Sequence, residues 1–319
     1  MTKTKTKRIS TKMIVLLVIL AVIIVVFEIL SAGNLITPNN LRNILESTTT
    51  VTLLTIGSAL LMISGQIDLS LGASGTFGAL VAATMLANGM FWLIALIVGI
   101  AFGALFGLAN AALVSELKLP SFIVTLAMAS IANGLSAMMC SGAQITVKDP
   151  VILTLGGGRI FDYLPIALVI SLLLLLVYGI MLKKTESGRK IYLVGANKEA
   201  ARLCGINPKR VTYLLFINAG ALAALCGILV GGKLKYVNTM CISGQQFSGI
   251  TASILGGISM GGGTGGMGCA LIGILILNFF KNGLTLAGLS SYWQDIFGGL
   301  LFIFALLADF LVLARRNSK

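Results

Sequence analysis

Apolar residues gather in ten stretches along this chain, near 13–32, 48–64, 72–88, 91–114, 120–140, 164–182, 211–232, 247–260, 268–284 and 293–314. Most approach the roughly 20 residues that a helix needs to cross a bilayer. Weak alternation and abundant Leu, Ile, Ala and Gly argue against the strands of a membrane barrel. Between the sixth and seventh stretches the pattern breaks: GRKIYLVGANKEAARLCGINPK, residues 188–209, is polar. Asn197 is placed to cap a short helix over KEAARL, and Gly205 to end it in a left-handed turn. The expectation is a surface helix held against a membrane domain as a docking element.

Composition makes lipid the solvent of this fold. Hydrophobic residues are 57% of the 319, charged residues 10%, and mean hydropathy is +1.01. A soluble chain could not cover that much apolar surface. In hydrocarbon, helices satisfy their own backbone groups, so the fold class is all-α, a polytopic integral membrane protein of about ten transmembrane helices. Lys and Arg fix its expected orientation. Residues 1–12 carry five, 115–119 one, 183–210 eight and the C-terminal tail three, whereas the opposite loops hold only Arg42, Lys148, Arg159, Lys233 and Lys235. Basic loops stay in the cytoplasm, so both termini and the 183–210 segment are assigned there. The organisation expected is a basic tail over 1–12, one permease domain over 13–314 and a basic tail over 315–319.

The net charge of +13 follows from those basic loops and an anionic leaflet. No groove-reading or aromatic-basic pattern accompanies it, so nucleic acid is not an expected partner. The N-terminal run carries Glu28 and lacks a small-x-small cleavage site, which reads as a retained span rather than a signal peptide.

Candidate chemistry is sparse. The chain has no histidine, which removes His-based zinc sites, Ser-His-Asp triads and His proton relays. Its five cysteines, 140, 204, 226, 241 and 269, have no metal-ligand spacing, and only Cys140 and Cys241 both fall towards the outside. The ten acidic residues form no i, i+3 or i, i+4 pair within a span, so carboxylate-pair catalysis and a carboxylate relay lack material.

Glycine carries more information. Gly99, Gly103 and Gly107 form GxxxGxxxG, a spacing that lets helices pack closely. The run GGISMGGGTGGMG at 256–268 contains GxGxxG, but no buried strand precedes it and no acidic residue follows at the required distance. A phosphate-gripping GxxxxGK[ST] is absent, so the sequence supplies no ATPase of its own. The glycine run and SGQIDLSLGASG at 64–75 each interrupt a pair of spans, one in each half of the chain. Two readings stand. Unwound backbone can line a substrate path, with Gln66, Asp68, Ser70 and Gln246 as candidates, or these are tight turns at the membrane face.

The blocks GQIDLSLGA, KLPSFIVTLAMASIANG, NKEAARLCGINPKRV and ILGGISMGGGTGGMGCALIG stand in a familiar order and spacing. Over roughly 40–312 the chain resembles the permease subunits of ribose-type bacterial ABC importers. The resemblance implies a ten-helix permease in the bacterial cytoplasmic membrane, paired with itself or a sister permease. It implies as partners a cytoplasmic ABC ATPase dimer, which uses the ATP, and an external solute-binding protein. No cofactor is implied for this chain. Asn197, Lys198, Glu199, Ala200, Ala201, Arg202 and Gly205 then match the coupling helix that fits a cleft of the ATPase. The chain departs from many relatives at Gln245 and Gln246, where they carry Tyr-Glu. The I-x-L-P of the wider importer signature is also missing, as is common in the sugar branch.

Import of a sugar or similar hydrophilic solute explains the docking helix, the missing ATPase motif and the scarce intramembrane charge together. A permease for branched-chain amino acids or nucleosides is the nearest alternative. An ion-coupled secondary transporter would need a coupling-ion site. An intramembrane enzyme would be reduced to Ser-Lys chemistry with Lys281 as its base.

Overall fold

The structure, a computed structural model, describes residues 11–317. Five helices come first: α1 (Thr11–Leu30), α2 (Pro38–Ile63), α3 (Leu71–Ala87), α4 (Trp92–Ser115) and α5 (Ser121–Cys140). An irregular stretch follows, built of β1 (Ile145–Thr146), α6 (Pro150–Gly157), β2 (Arg159–Ile160) and β3 (Leu164–Pro165). Next are α7 (Ile166–Lys184), α8 (Glu186–Ala196), α9 (Lys198–Leu203) and α10 (Pro208–Leu234). The chain continues through β4 (Tyr236–Val237), α11 (Gln246–Leu255), α12 (Met267–Leu286) and α13 (Ser291–Asn317).

Each of the ten expected spans is a helix. Seven are long and apolar enough to cross a membrane: α1, α2, α4, α5, α7, α10 and α12. α3 and the 291–307 part of α13 are apolar but shorter, and α11 has only 10 residues. Apolar side chains such as Ile29, Met138 and Leu176 stay exposed on α1, α5 and α7, which suits a surface solvated by lipid.

α10 is the central post. It packs against α4, α3, α2 and α6, and buries residues on every side, Phe216 among them. The GxxxGxxxG face of α4 makes this possible. A Cβ on Gly103 would lie 2.4 Å from Gly220 O, and one on Gly107 2.1 Å from Phe216 O. Any larger residue would push these two backbones apart. α10 has 27 residues, so at 1.5 Å per residue it spans about 40 Å. α9 lies by its first turn and α6 by its last, which defines the two ends of the bundle.

Three local differences from the sequence reading have simple causes. α2 begins at Pro38, ten residues before the apolar run, because its polar first turns are satisfied by other elements. Asn40 and Asn282 exchange amide hydrogen bonds of 2.7 and 3.0 Å, and Glu46 pairs with Arg159 and Lys233 at 2.7 and 2.8 Å. α6 was passed over, although Asp149-Pro150 is a helix-start signal: Asp149 Oδ1 accepts from Val151 N and Ile152 N. At the C-terminus, α13 runs to Asn317 instead of ending at 314. Of the N-terminal tail expected over 1–12, residues 1–10 lie outside the described residues, and Thr11 and Lys12 already belong to α1.

The strands are two-residue clasps at the α6 end. β1 pairs antiparallel with β4, Ile145 opposite Val237, and β2 pairs with β3, Arg159 opposite Pro165. All five cysteines are free, and Cys140 and Cys241 pack on the same apolar cluster as Val147 and Val237.

Candidate coupling site and solute path

α7 hands over to a polar segment built of three capped pieces. Thr185 caps α8, its hydroxyl accepting from Gly188 N at 3.3 Å. Gly188, Ile191 and Val194 bury one face of α8, while Glu186 and Lys190 pair at 2.7 Å on the other. The hydrogen bond and charge of Lys190 hold the Glu186 carboxyl below its ordinary pKa.

Asn197 ends α8 and starts α9. Its Oδ1 accepts from Glu199 N at 2.9 Å and Ala200 N at 3.0 Å, satisfying two otherwise unpaired donors of the helix start. At the far end Gly205 adopts φ +76°, with its N–H bonded to Arg202 O and that of Ile206 to Ala201 O. This paired stop needs a residue at positive φ, which glycine adopts without a Cβ clash. Asn207 repeats the capping role for α10, accepting from Lys209 N and Arg210 N. Two turns of helix are thus fixed at both ends.

α9 is nevertheless almost bare. Only Ala201 is buried, while Lys198, Glu199, Ala200 and Arg202 are exposed and Leu203 is 91% exposed. The Glu199–Arg202 pair is long, 3.5 Å, and open to solvent. Leu203 was missed from the sequence because it counted as one more helix-forming residue. Leu203 is the most exposed large apolar side chain of the 185–209 segment, well above Leu193 at 47%.

The two chain breaks meet beside this segment. Gly263 N donates to Ile63 O at 2.8 Å, so the second break is hydrogen-bonded to the end of α2. The end of α8 is pressed into the same junction. A Cβ on Gly195 would lie 1.8 Å from Ile63 O and 2.7 Å from Gly263 N. Tyr192 OH donates to Gly265 O at 2.7 Å, and burial raises the pKa of that phenol. The glycines of the supposed GxGxxG serve these contacts and turns: Gly263 and Gly265 both have positive φ.

Each break has its own internal knot. In the first, Asp68 Oδ1 accepts from Ser70 N at 2.7 Å and Ser70 Oγ at 2.6 Å, and Asn110 Nδ2 donates to Ser70 Oγ at 2.9 Å. Ile67 N and Leu69 N donate to Ser121 Oγ and Thr125 Oγ1 of α5. In the second, Asp309 Oδ2 accepts from Ser259 Oγ at 3.1 Å and Met260 N at 3.0 Å. Neither Asn110 nor Asp309 stood out in sequence, since each partner is distant along the chain.

The four candidate path residues therefore separate. Asp68 and Ser70 are buried together in the first knot. Gln66 borders an open groove of about 1020 Å³ that it shares with Lys118, Lys198, Glu199 and Arg202. Gln246 lies apart, at the start of α11, with its Oε1 buried beside Gly72 and without a hydrogen-bond partner among the described residues. Asn197, the α9 residues and Gly205 do come together as one short surface element.

Comparison with known proteins fixes the family. Residues 40–306 match the family described as branched-chain amino acid transport system / permease component. The ribose import permease protein RbsC of Escherichia coli (strain K12) is 33% identical, covering 92% of each chain. The L-arabinose ABC transporter permease protein AraH of Azospirillum brasilense is 27% identical, over 94% of this chain and 88% of that protein. In architecture, a solved inward-facing metal-chelate type ABC transporter superposes with a TM-score of 0.54 at 16% identity, over 92% of this chain and 98% of that one, a likeness of fold alone. The chain belongs to the permease-component family of branched-chain amino acid transport systems, in the branch of the ribose import permeases, and is a membrane permease of the ABC importer type.

Proposed function

We propose that this permease imports a sugar or similar hydrophilic solute and is driven by a separate cytoplasmic ABC ATPase that docks on α9, a reading supported by the ribose and L-arabinose permeases among its relatives. Both termini and the α9 end then face the cytoplasm of a bacterium, and the α6 end faces an external solute-binding protein. A second copy of the chain, or a sister permease, completes the path. ATP is used by the ATPase, and this chain contributes no hydrolytic chemistry and binds no cofactor. Within α9, Asn197 and Gly205 set the shape, Ala201 anchors it, and Lys198, Glu199, Ala200, Arg202 and Leu203 face the partner. Gln66 and Gln246 border the solute path, while Asp68 and Ser70 hold the first break in shape.

The observation that carries this reading is a helix capped at both ends whose side chains, Ala201 excepted, touch little of their own protein. A helix of two turns is marginal by itself, so its caps and its partner surface must hold it. The Glu199–Arg202 pair contributes only about 0.2–0.5 kcal/mol as an exposed i, i+3 contact. Its loss cannot abolish transport, whereas loss of a docking contact can.

The test is co-purification of the tagged permease with its ATPase. Glu199→Arg and Gly205→Val are expected to leave the membrane domain folded, weaken ATPase capture and abolish uptake. Normal capture and uptake in both variants would make 188–209 an ordinary loop. Orientation is read separately, by impermeant labelling of single cysteines at positions 198, 202, 148 and 233 in a cysteine-free background. Labelling from outside at 198 or 202 would reverse the assignment.

A further inference from the structure

A polar cleft of about 400 Å³ opens at the α6 end, walled by α2, α12, α13 and the residues leading into α11. Its size falls within the range of small-molecule sites. Two of the wall amides are already committed to the fold: Asn278 donates to Thr48 Oγ1, and Asn282 is paired with Asn40.

The remaining groups are not spent. Asn43 and the Nε2 of Gln245 make no hydrogen bond among the described residues. Lys281, half-buried, donates to Ser248 Oγ at 2.8 Å and forms no ion pair among the described residues, which leaves two ammonium N–H groups. Asp295 also lines the cleft and acts on Lys281 through charge, with no ion pair of its own among the described residues.

This set has a definite chemical preference. A carboxamide offers donors and acceptors together, as a sugar hydroxyl does. One ammonium and one carboxylate leave the cleft without net charge, which gives no advantage to a solute of net charge; a zwitterion, which could pair with both groups, is the competing occupant that the betaine control below tests. We propose that the cleft is a binding site for a neutral, polyhydroxylated solute, held by Asn43, Gln245, Lys281 and Asp295. The proposal rests on the sugar-import reading and adds that the permease itself recognises its cargo.

Ser47, exposed on the α2 wall, is the reporter. In membrane vesicles, the full-length chain with its native cysteines replaced and Ser47→Cys is labelled with a neutral maleimide. D-ribose, L-arabinose, D-glucose and myo-inositol are tested as protectants, and glycine betaine as a control without hydroxyls. At least one sugar or cyclitol is expected to slow labelling, and betaine is not. Asn43→Leu or Lys281→Met is expected to weaken that protection by about 3- to 10-fold, the worth of one hydrogen bond. Gln245→Leu replaces Lys281→Met should the latter fail to insert. No protection by any of the four, or equal protection by betaine, overturns the site. Uptake of the same four compounds by intact cells separates the two readings. Uptake without protection removes the cleft and keeps the importer, whereas protection without uptake removes the importer.

Discussion

Gly195→Ala adds a single methyl group at the point where α8, the end of α2 and the glycine-rich break converge. The new Cβ would sit 1.8 Å from Ile63 O and 2.7 Å from Gly263 N. Both atoms are backbone and cannot rotate away. α8 must therefore withdraw, or the Gly263 N–Ile63 O hydrogen bond of 2.8 Å must open. Overpacking of this kind costs about 1–3 kcal/mol. Leaving a buried backbone group unpaired costs about 1–3 kcal/mol more. Where only one of the two happens the cost is about 1–3 kcal/mol, and where both do it is about 2–6 kcal/mol, against the roughly 5–15 kcal/mol that holds a typical domain together.

Gly205 provides the contrast. Its added Cβ would meet nothing within 4 Å, so Gly205→Ala carries only backbone strain at φ +76°, about 1–2 kcal/mol. The assay is transport, ATPase activity and thermal midpoint measured on the same assembled transporter. Gly195→Ala is expected to retain ATP hydrolysis but lose most solute movement, with the larger fall in midpoint. Gly205→Ala is expected to keep most transport. Equal midpoints and equal uptake for the two variants would refute the idea that the α8–α9 segment acts on the breaks through this junction.

Three further outcomes follow from the same geometry. Asp68→Ala strips Ser70 N and Ser70 Oγ of their acceptor and is expected to lower the thermal midpoint by the equivalent of about 1–3 kcal/mol; an unchanged midpoint with lost uptake would place Asp68 in the path instead. Asp309→Ala releases Ser259 Oγ and Met260 N, and is expected to raise protease cleavage or hydrogen exchange within 256–266 before it alters the rest of the chain. Leu203→Asp, at a side chain that touches almost nothing of its own protein, is expected to leave the midpoint within about 0.5 kcal/mol of the parent while reducing ATPase capture.

The spans were legible because lipid imposes one rule on every helix, a long apolar run, and all ten runs became helices. The short capped helix α9 was legible for a different reason. Its signals, Asn197 and Gly205, act on backbone groups two or three residues away, so the sequence contains both partners of each contact. Where the partner is distant, that reasoning stops. Nothing in SGQIDLSLG announces that Asp68 answers to Asn110 on α4, or that Ile67 N and Leu69 N lean on hydroxyls of α5. Nor does GGISMGGG announce Asp309 on α13. The polar start of α2 fell on the same side of this line, because Asn40 and Glu46 look like loop residues until Asn282, Arg159 and Lys233 are seen beside them.

That division bears on how motion can cross the molecule. The local contacts make α8 and α9 a firm unit, capped at each end and packed on α7 through Gly188. The distant contacts tie each break to a different helix, the first to α4 and α5 and the second to α13. A force on α9 thus reaches Gly195 through a stiff segment, and from there both breaks at once, because Gly263 and Ile63 are joined to each other. On the proposed docking at α9, coupling needs a bistable element that a partner bound there can bias. Two short stretches outside the helix ladders, hydrogen-bonded to each other and each anchored to a different helix, are the candidates for that element.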